Sequence, residues 1–246
     1  MTADVFKFDN GVLVFKNDIS DGQLRRYEEA PRAIHEPVEE HWFTTVLQNA
    51  QQSQMSSQDR PFRFVDVGSA LGYYCVLVKR AMPTAEIYAV DPSPHFRARM
   101  RETFMLNGLS PDDYTAVDRA LYPHGKSVVF REKSFESSIL QGADRTVEHE
   151  NTIEVPTINL ADVLTMVGGP IDLMKVDIQS AELALFNRNL EFLAAGHVNT
   201  WIVGTHSAAI HATVLEHFQR DHEILFESPD PDDQPDGLIV ARYKRS

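Results

Sequence analysis

The sequence is poor in cysteine, in basic residues and in long apolar runs, and each shortage narrows what it can encode. Cys75 is the single cysteine among 246 residues, so no internal disulfide can form and we expect a reducing compartment. Lys and Arg number 23 against 36 Asp and Glu, and the formal charge of −13 disfavours nucleic acid and anionic membranes as partners. No run reaches the roughly 18 apolar residues of a membrane span.

The first residues also lack the pattern of a targeting segment. MTADVFKFDN has no basic stretch followed by an apolar one. We therefore expect a cytoplasmic protein without membrane insertion. The length is sufficient for one large core, because α/β domains commonly reach this size.

The polar stretch QQSQMSSQDR, residues 51–60, divides the sequence into two regions. The division falls inside this stretch, and residues 1–55 form a predicted N-terminal extension. This extension has a hairpin over 5–15 that turns at Asp9-Asn10-Gly11, followed by helices of which 36–50 is the longest. Composition leaves open whether the extension covers a ligand pocket or forms a homodimer contact.

Residues 56–246 follow a different pattern, in which short apolar strands alternate with amphipathic helices. This alternation predicts an α/β domain with an open, mostly parallel sheet covered by helices on both faces. The last two strands, over 222–228 and 237–243, predict an antiparallel edge. Ligands of such sheets bind beyond the carboxyl ends of the strands.

The first candidate site is VDVGSALGYY, residues 65–74, where a strand ends in a glycine turn before a helix. Gly68 and Gly72 allow a tight turn and a close approach of the backbone to a ligand. The motif lacks the middle glycine of the dinucleotide fingerprint, because Ala70 stands there. A purely structural turn is the alternative.

The second candidate is Asp91, which ends the next strand in AEIYAVD. An acid at this position can accept hydrogen bonds from both hydroxyls of a ribose. Capping of the following helix is the alternative, although Ser93-Pro94 is itself a good helix start. The glycine turn and the acid together indicate an adenosine-type cofactor, either a nicotinamide or S-adenosylmethionine.

The third candidate is Asp177 in MKVDIQSAE, which ends a further central strand. A carboxylate there is costly to bury without a partner, so it meets a ligand, a cation or helix N–H groups. His206, in WIVGTHS, follows the next strand and would face the same side of the sheet. With its ordinary pKa near 6.5, His206 is a candidate general base, and a structural role is the alternative.

Several segments together resemble the FkbM family of S-adenosylmethionine-dependent methyltransferases. The resemblance spans roughly residues 60–210, and the segments that carry it, in order and spacing, are VDVGSALGYY, YAVDPSP, FMLNGL, RALYPHGK, TINLADVL and IDLMKVDIQSAE. It implies the class I methyltransferase fold, Rossmann-like, with a seven-stranded sheet and a reversed terminal hairpin. It also implies methylation of a hydroxyl group on a sugar or small natural product.

The resemblance assigns cofactor contacts to matching positions. The residues expected around the methionine part are Asp66, Gly68, Ser69, Ala70, Leu71, Gly72 and Tyr73. Asp91 would hold the ribose with Pro92 and Ser93 beside it, and Asp118, Arg119 and Ala120 would border the adenine. Asp177 would lie under the transferring methyl group.

Departures from the family pattern fall near the expected acceptor. The family commonly has an acid and a glycine where this sequence has Gln179 and Ser180, and alanine-asparagine where it has Ser69-Ala70. Ser134, Ser137 and Ser138 are candidate acceptor contacts, with ordinary surface serines as the alternative. A metal on Asp177 and His206 lacks an obvious third ligand, so we expect none. N-methylation, a nicotinamide oxidoreductase and a non-catalytic binding module remain alternatives.

Overall fold

Alternating apolar strands and amphipathic helices build the architecture expected from the sequence. The computed structural model describes residues 4–54, 60–132, 137–140, 151–232 and 234–244. The N-terminal elements are β1 (Val5–Lys7), β2 (Leu13–Phe15), a 3-10 turn (Lys16–Asp18), α1 (Asp21–Glu29) and α2 (Pro37–Gln54).

The remaining elements follow in chain order. The first group is β3 (Arg63–Val67), α3 (Tyr73–Ala81), β4 (Glu86–Val90), α4 (Pro94–Leu106), a 3-10 turn (Pro111–Asp113), β5 (Thr115–Val117), β6 (Ala120–Leu121), β7 (Ser127–Arg131), β8 (Ser138–Ile139) and β9 (Thr152–Ile158). The second group is α5 (Leu160–Val167), β10 (Ile171–Val176), α6 (Glu182–Asn187), α7 (Leu190–Ala194), β11 (Val198–Thr205), α8 (Ala208–Asp221), β12 (His222–Ser228) and β13 (Gly237–Tyr243).

Seven strands form the central sheet in the order β12-β13-β11-β10-β3-β4-β5. The pairs from β11 through β10, β3 and β4 to β5 are parallel, whereas β13 runs antiparallel to both β11 and β12. The expected sheet with its antiparallel terminal hairpin is confirmed. Because chain order reverses between β3 and β10, their carboxyl ends border the crevice in which such folds bind ligands.

The two faces of the sheet are buried in separate apolar clusters. Leu173 packs in one cluster and its neighbour Met174 in the other, as alternation along a strand requires. The first cluster also contains Phe8 and Phe43 from the N-terminal region. The hairpin and helices of that region therefore share a core with the sheet.

Two segments interrupt the regular alternation of strands and helices. Residues 180–195 form α6 and α7 rather than one helix, because the Asn189 side chain donates to the Leu185 carbonyl (2.7 Å) where the helix turns off. Residues 114–121 form β5 and β6, which belong to different sheets. The chain bends at Asp118-Arg119 so that β6 can pair with β9 in a small sheet with β7 and β8.

Among the residues that the structure describes, no helix combines sufficient length with sufficient apolar character to cross a bilayer.

Candidate active site

A cavity of about 600 Å³ opens at the carboxyl ends of β3, β4 and β10. Its volume lies within the roughly 300–1,000 Å³ of small-molecule sites. All three candidate motifs contribute to its wall, and α1 covers it from the N-terminal side. The predicted site residues that line it are Asp66, Gly68, Ser69, Ala70, Leu71, Tyr73, Asp91, Pro92, Ala120 and Asp177.

The glycine turn brings the backbone of β3 against that of β10. Gly68 has a positive φ of +79°, and a Cβ built on it would lie 1.8 Å from the Asp177 carbonyl oxygen. The Asp177 N–H in turn donates to the Val67 carbonyl (3.0 Å). Gly68 is therefore required by its conformation and by its contact with the strand that carries Asp177.

Gly72 ends the turn and caps α3. It adopts the left-handed conformation at φ +77°, and a Cβ there would lie 2.8 Å from side-chain atoms of Met100. Between the two glycines Ala70 also has a positive φ, of +43°. Three left-handed residues within five positions make the tight turn, whose N–H groups at Gly68 and Ala70 donate to the Val90 carbonyl and to Asp91 Oδ2.

Asp91 holds the glycine turn to the start of α4. Its Oδ2 accepts from the Ala70 N–H and its Oδ1 from the Ser93 N–H, both at 2.9 Å. Ser93 itself caps α4 by accepting from the Phe96 N–H, so Asp91 is not the capping residue. Burial raises the pKa of Asp91 to about 6, although the two backbone donors oppose this effect. Each oxygen keeps a lone pair for a ligand.

Asp66 is a second buried carboxylate in the cavity wall. Cys75 Sγ donates to its Oδ2 (3.2 Å), whereas its Oδ1 has no hydrogen-bond partner within the described ranges. Burial raises the pKa of Asp66 to about 6, and the nearby Lys175 ammonium opposes that shift. A buried acceptor without a partner is costly unless a ligand completes it.

Asp177 ends β10 and is held by two cations. Lys175 Nζ lies 3.2 Å from its Oδ2, and His206 Nε2 lies 3.3 Å from its Oδ1. Burial alone would raise the pKa of Asp177, but these two cations hold it well below the usual range. Asp177 is thus an ionised carboxylate at the cavity wall.

His206 lies behind Asp177 and does not line the cavity. Its Nδ1 is 2.9 Å from Glu182 Oε1, and its Nε2 is also 3.6 Å from Asp236 Oδ1. Burial would lower the pKa of His206, yet contacts with Asp177 and Glu182 raise it to about 11. These contacts favour the charged imidazolium and place it against Asp177, and the general-base role of His206 stays a prediction.

The sequence of this chain matches a known protein family. A family model described as the Methyltransferase FkbM domain matches residues 66–226, most of the chain. The chain belongs to the FkbM methyltransferase family. The expected family and the expected methyltransferase activity are confirmed, and S-adenosylmethionine is the cofactor. Comparison with curated proteins gave no match.

Solved structures resemble this FkbM methyltransferase at low sequence identity. Magnesium protoporphyrin IX methyltransferase (ChlM) from Synechocystis PCC 6803, solved with bound SAM, has a TM-score of 0.54 and 11% identity over 93% of this chain and 89% of that one. The ribosomal protein L11 methylase from Lactobacillus delbrueckii subsp. bulgaricus has a TM-score of 0.44 and 14% identity, over 87% of this chain and 82% of that one.

Five of the residues predicted for the FkbM site do not line the cavity. Gly72 and Ser93 act instead as helix caps. Asp118 and Arg119 are exposed after β5, and only Ala120 of that motif lines the cavity. His206 is the fifth. Among the serines proposed as acceptor contacts, Ser137 lines the cavity, Ser138 lies in β8, and Ser134 lies outside the described residues.

Sequence reasoning missed the buried charges around Asp177. Lys175 Nζ also lies 3.4 Å from Glu39 Oε1 of α2, and both side chains are almost fully buried. Burial raises the pKa of Glu39 to about 8, although Lys175 opposes this shift. The sequence signal for Lys175 is a charged residue inside the apolar strand IDLMKVD. Nothing in the sequence around Glu39 indicates that it pairs with Lys175.

The N-terminal region supplies the cover that composition could not assign. The covering residues that line the cavity are Val14, Ile19, Ser20, Gln23, Arg26, Tyr27, His35 and Glu36. Tyr27 Oη and His35 Nδ1 are 2.7 Å apart, and the rings of His35 and Tyr73 are 4.8 Å apart. Burial lowers the pKa of His35 to about 4, so its ring is neutral at pH 7.

The departures from the family pattern at Gln179 and Ser180 fall at left-handed backbone positions. Gln179 and Ser180 have positive φ angles of +49° and +73°, and Gln179 lines the cavity. The left-handed region favours glycine, which the family commonly has at the position of Ser180. In the described part of the chain, no group of three or more His, Cys, Asp or Glu side chains is arranged to hold a metal ion.

Proposed function

We propose that this FkbM methyltransferase transfers the methyl group of S-adenosylmethionine to a hydroxyl group of a small molecule, a sugar or a natural product. One observation carries the proposal: the Asp91 and Asp177 carboxylates, at the ends of different strands, open onto the same cavity of about 600 Å³. One carboxylate suits the ribose of the cofactor, and the other suits the acceptor.

The cofactor half of the cavity has free acceptors for an adenosine. Asp91 uses one lone pair of each oxygen on backbone N–H groups and keeps the others for two ribose hydroxyls. The unpartnered Oδ1 of Asp66 adds an acceptor for a cationic group of the ligand. Gly68 and Ala70 of the left-handed turn line this half, so a ligand there would lie against their backbone.

The acceptor half is organised around Asp177. S-adenosylmethionine supplies a methyl group on a positively charged sulfur, which a hydroxyl oxygen can attack directly. Asp177 would accept a hydrogen bond from that hydroxyl and fix its direction, which is the larger part of what the protein must provide. A methylated hydroxyl is a strong acid before it loses its proton, so even a carboxylate with a low pKa can receive that proton.

The cover over the cavity supports a small acceptor. Tyr27 and His35 close the cavity from the N-terminal side, and Phe130 and Ile139 close it from the small sheet. Such closure excludes water, which would compete as a nucleophile. The free, buried thiol of Cys75 fits a cytoplasmic setting.

Binding of S-adenosylhomocysteine, measured by calorimetry, tests the cofactor half. Asp91→Ala should weaken binding at least tenfold, because charge-assisted hydrogen bonds contribute about 1.5–3 kcal/mol each. Asp112→Ala, at an exposed position of the second 3-10 turn, is the matched control and should leave binding unchanged. Equal affinity of the Asp91 variant and the parent protein would remove the ribose assignment.

Transfer of a tritiated methyl group to a panel of hydroxyl and amine compounds tests the acceptor half. We expect label in hydroxyl compounds, and loss of that label in Asp177→Asn with S-adenosylhomocysteine affinity retained. Label confined to amines would replace O-methylation by N-methylation. NADH binding in place of S-adenosylhomocysteine binding would overturn the proposal.

A further inference from the structure

Glu182 is a fully buried carboxylate behind the part of the cavity wall that contains Asp177. It lies in the first turn of α6 with 0% of its surface exposed, five residues after Asp177. Its Oε1 accepts from the Ile178 N–H (3.1 Å) and lies 2.9 Å from His206 Nδ1. A buried carboxylate is costly without a cationic partner, and His206 is the cation in contact with it.

His206 connects Glu182 to Asp177. Its two ring nitrogens lie 2.9 Å from Glu182 Oε1 and 3.3 Å from Asp177 Oδ1, so the imidazolium stands between two carboxylates. These are ion-pair distances, and neither ring N–H is aligned for a full hydrogen bond. A ring that carries both protons can contact both carboxylates as a donor, whereas a neutral ring would leave one of them facing a lone pair.

We propose that Glu182 is a positioning residue for methyl transfer, which through His206 holds the Asp177 carboxylate in place at the cavity wall. The inference rests on the proposed function of Asp177 and assigns to Glu182 and His206 no contact with substrate. Glu182 binds the far side of the ring, and the near side of the ring binds Asp177. Transfer depends on the alignment of the acceptor, so a shift of Asp177 would reduce its rate.

The other contacts of Asp177 leave its carboxylate free to rotate, and the contact with His206 restricts that rotation. The backbone of Asp177 is fixed by the Val67 carbonyl and by the tight contact with Gly68. Lys175 fixes its Oδ2, and Lys175 is shared with Glu39. His206 alone is in contact with Oδ1 among the described side chains, so it sets the rotation of the carboxylate.

Every charged group that faces His206 contributes to its titration. These groups come from three segments of the chain: Lys175 and Asp177 at the end of β10, Glu182 of α6, and Asp236 before β13, whose Oδ1 is 3.6 Å from Nε2. Three of these four groups are carboxylates, and each favours the protonated ring. Burial raises the pKa of Asp236, which weakens its share of that effect at neutral pH.

NMR titration of histidine-labelled protein measures the contact without requiring turnover. His206→Gln assigns the His206 signal among the ten histidines. In Glu182→Gln the amide oxygen can still accept from Ile178, so the fold is retained while the charge is lost. The His206 titration midpoint should fall by about 1–3 pH units, the range for an opposite charge within contact distance.

Two further variants keep the outcome unambiguous. Glu182→Asp retains the charge one methylene farther away and should lower the midpoint less than Glu182→Gln does. Glu216→Gln, on the exposed side of α8, is the control and should leave it unchanged. A His206 midpoint in Glu182→Gln and Glu182→Asp equal to that of the parent protein overturns the proposal.

Kinetics with an acceptor identified by the tritium assay separate positioning from simple stability. Glu182→Gln should lower kcat at least tenfold and leave the KM for S-adenosylmethionine within twofold, because Glu182 does not line the cofactor half. Equal losses in kcat and in S-adenosylhomocysteine affinity would indicate a structural role and reject positioning. A parent protein that does not bind S-adenosylhomocysteine would reject the proposed function instead, while the His206 titration would still report the contact.

Discussion

The two walls of the cavity are built by different physical means. The cofactor wall consists of backbone: Gly68 and Ala70 in left-handed conformations, supported by Gly72 at the start of α3, and N–H groups fixed to one carboxylate, Asp91. The catalytic wall consists of buried charges: Asp177 with Lys175, and His206 behind them. The first wall is local in sequence, since 24 residues from Gly68 to Asp91 contain it. The second, together with Glu39 and Glu182, joins residues from four separate segments.

This difference teaches where each wall is sensitive. A backbone site fails when a side chain is added, because the space next to a glycine is already filled. A site made of buried charges fails when a charge is removed, because the remaining partners are left buried without compensation. Substitutions that add or remove a single group therefore distinguish the two walls.

The largest effect should follow from removing the central cation of the catalytic wall. Lys175→Met leaves Asp177 and Glu39 without their shared partner, and loss of one partner of a buried pair costs about 3–5 kcal/mol. Chemical denaturation should show that decrease in the free energy of unfolding. Arg220→Met removes an exposed partner of Glu216 and should cost less than about 1 kcal/mol.

A second substitution sharpens the assignment of this loss. Adding Glu39→Gln to Lys175→Met should recover part of the stability, because Glu39 without Lys175 must take up a proton or stay charged without a partner, whereas glutamine needs neither. A double variant no more stable than Lys175→Met would mean that Glu39 and Lys175 do not interact energetically.

The cofactor wall should fail when a methyl group is added to Gly68. Gly68→Ala places Cβ 1.8 Å from the Asp177 carbonyl oxygen and requires a left-handed alanine, so the turn must move. Affinity for S-adenosylhomocysteine should fall at least about 100-fold, or about 2.7 kcal/mol, by calorimetry. Gly22→Ala, in α1 with nothing within 4 Å of the added Cβ, is the matched control. It should leave affinity unchanged and stabilise the helix slightly.

The contrast between the walls also explains how much of the site the sequence could predict. The roles of Gly68, Gly72 and Asp91 can be predicted from the sequence, because strand, turn and helix follow one another within a short stretch. The pairing of Lys175 with Glu39 joins residues more than 130 positions apart, and no periodicity or spacing indicates it. The charged surroundings of His206 could not be predicted for the same reason, since its pKa depends on Glu182 and Asp177, which reach it through the fold.

The fold follows the same rule. The alternation of strands and helices predicts the central sheet, because each element buries a face that its own residues define. The break between α6 and α7 depends on one side chain, Asn189, which replaces a helical hydrogen bond to Leu185. The cover by α1 depends on packing between the N-terminal region and α3, which hydrophobic content alone does not specify.

The pH dependence of cofactor binding should come from the cofactor wall. Burial raises the pKa of Asp91 to about 6, so the group is ionised above that pH and accepts ribose hydrogen bonds at full strength. As the pH falls from 7.5 to 5, Asp91 is protonated and affinity for S-adenosylhomocysteine should fall about tenfold. Asp91→Asn should bind weakly at both pH values. Asp66 is a second carboxylate with a pKa of about 6, and Asp66→Asn shows how much of the pH dependence comes from that residue.

The smallest expected effect tests the junction between the walls, where Ser180 occupies a left-handed conformation at φ +73°. A residue other than glycine in that region costs about 1 kcal/mol or more, so Ser180→Gly should stabilise the protein by up to about 1 kcal/mol. For a chain of this size that gain raises Tm by about 2–4 °C. A fall in Tm would mean that the serine side chain contributes more than its backbone conformation costs. Because Ser180 is three residues from Asp177, a gain in Tm with slower methyl transfer would show that the strained turn serves the catalytic wall.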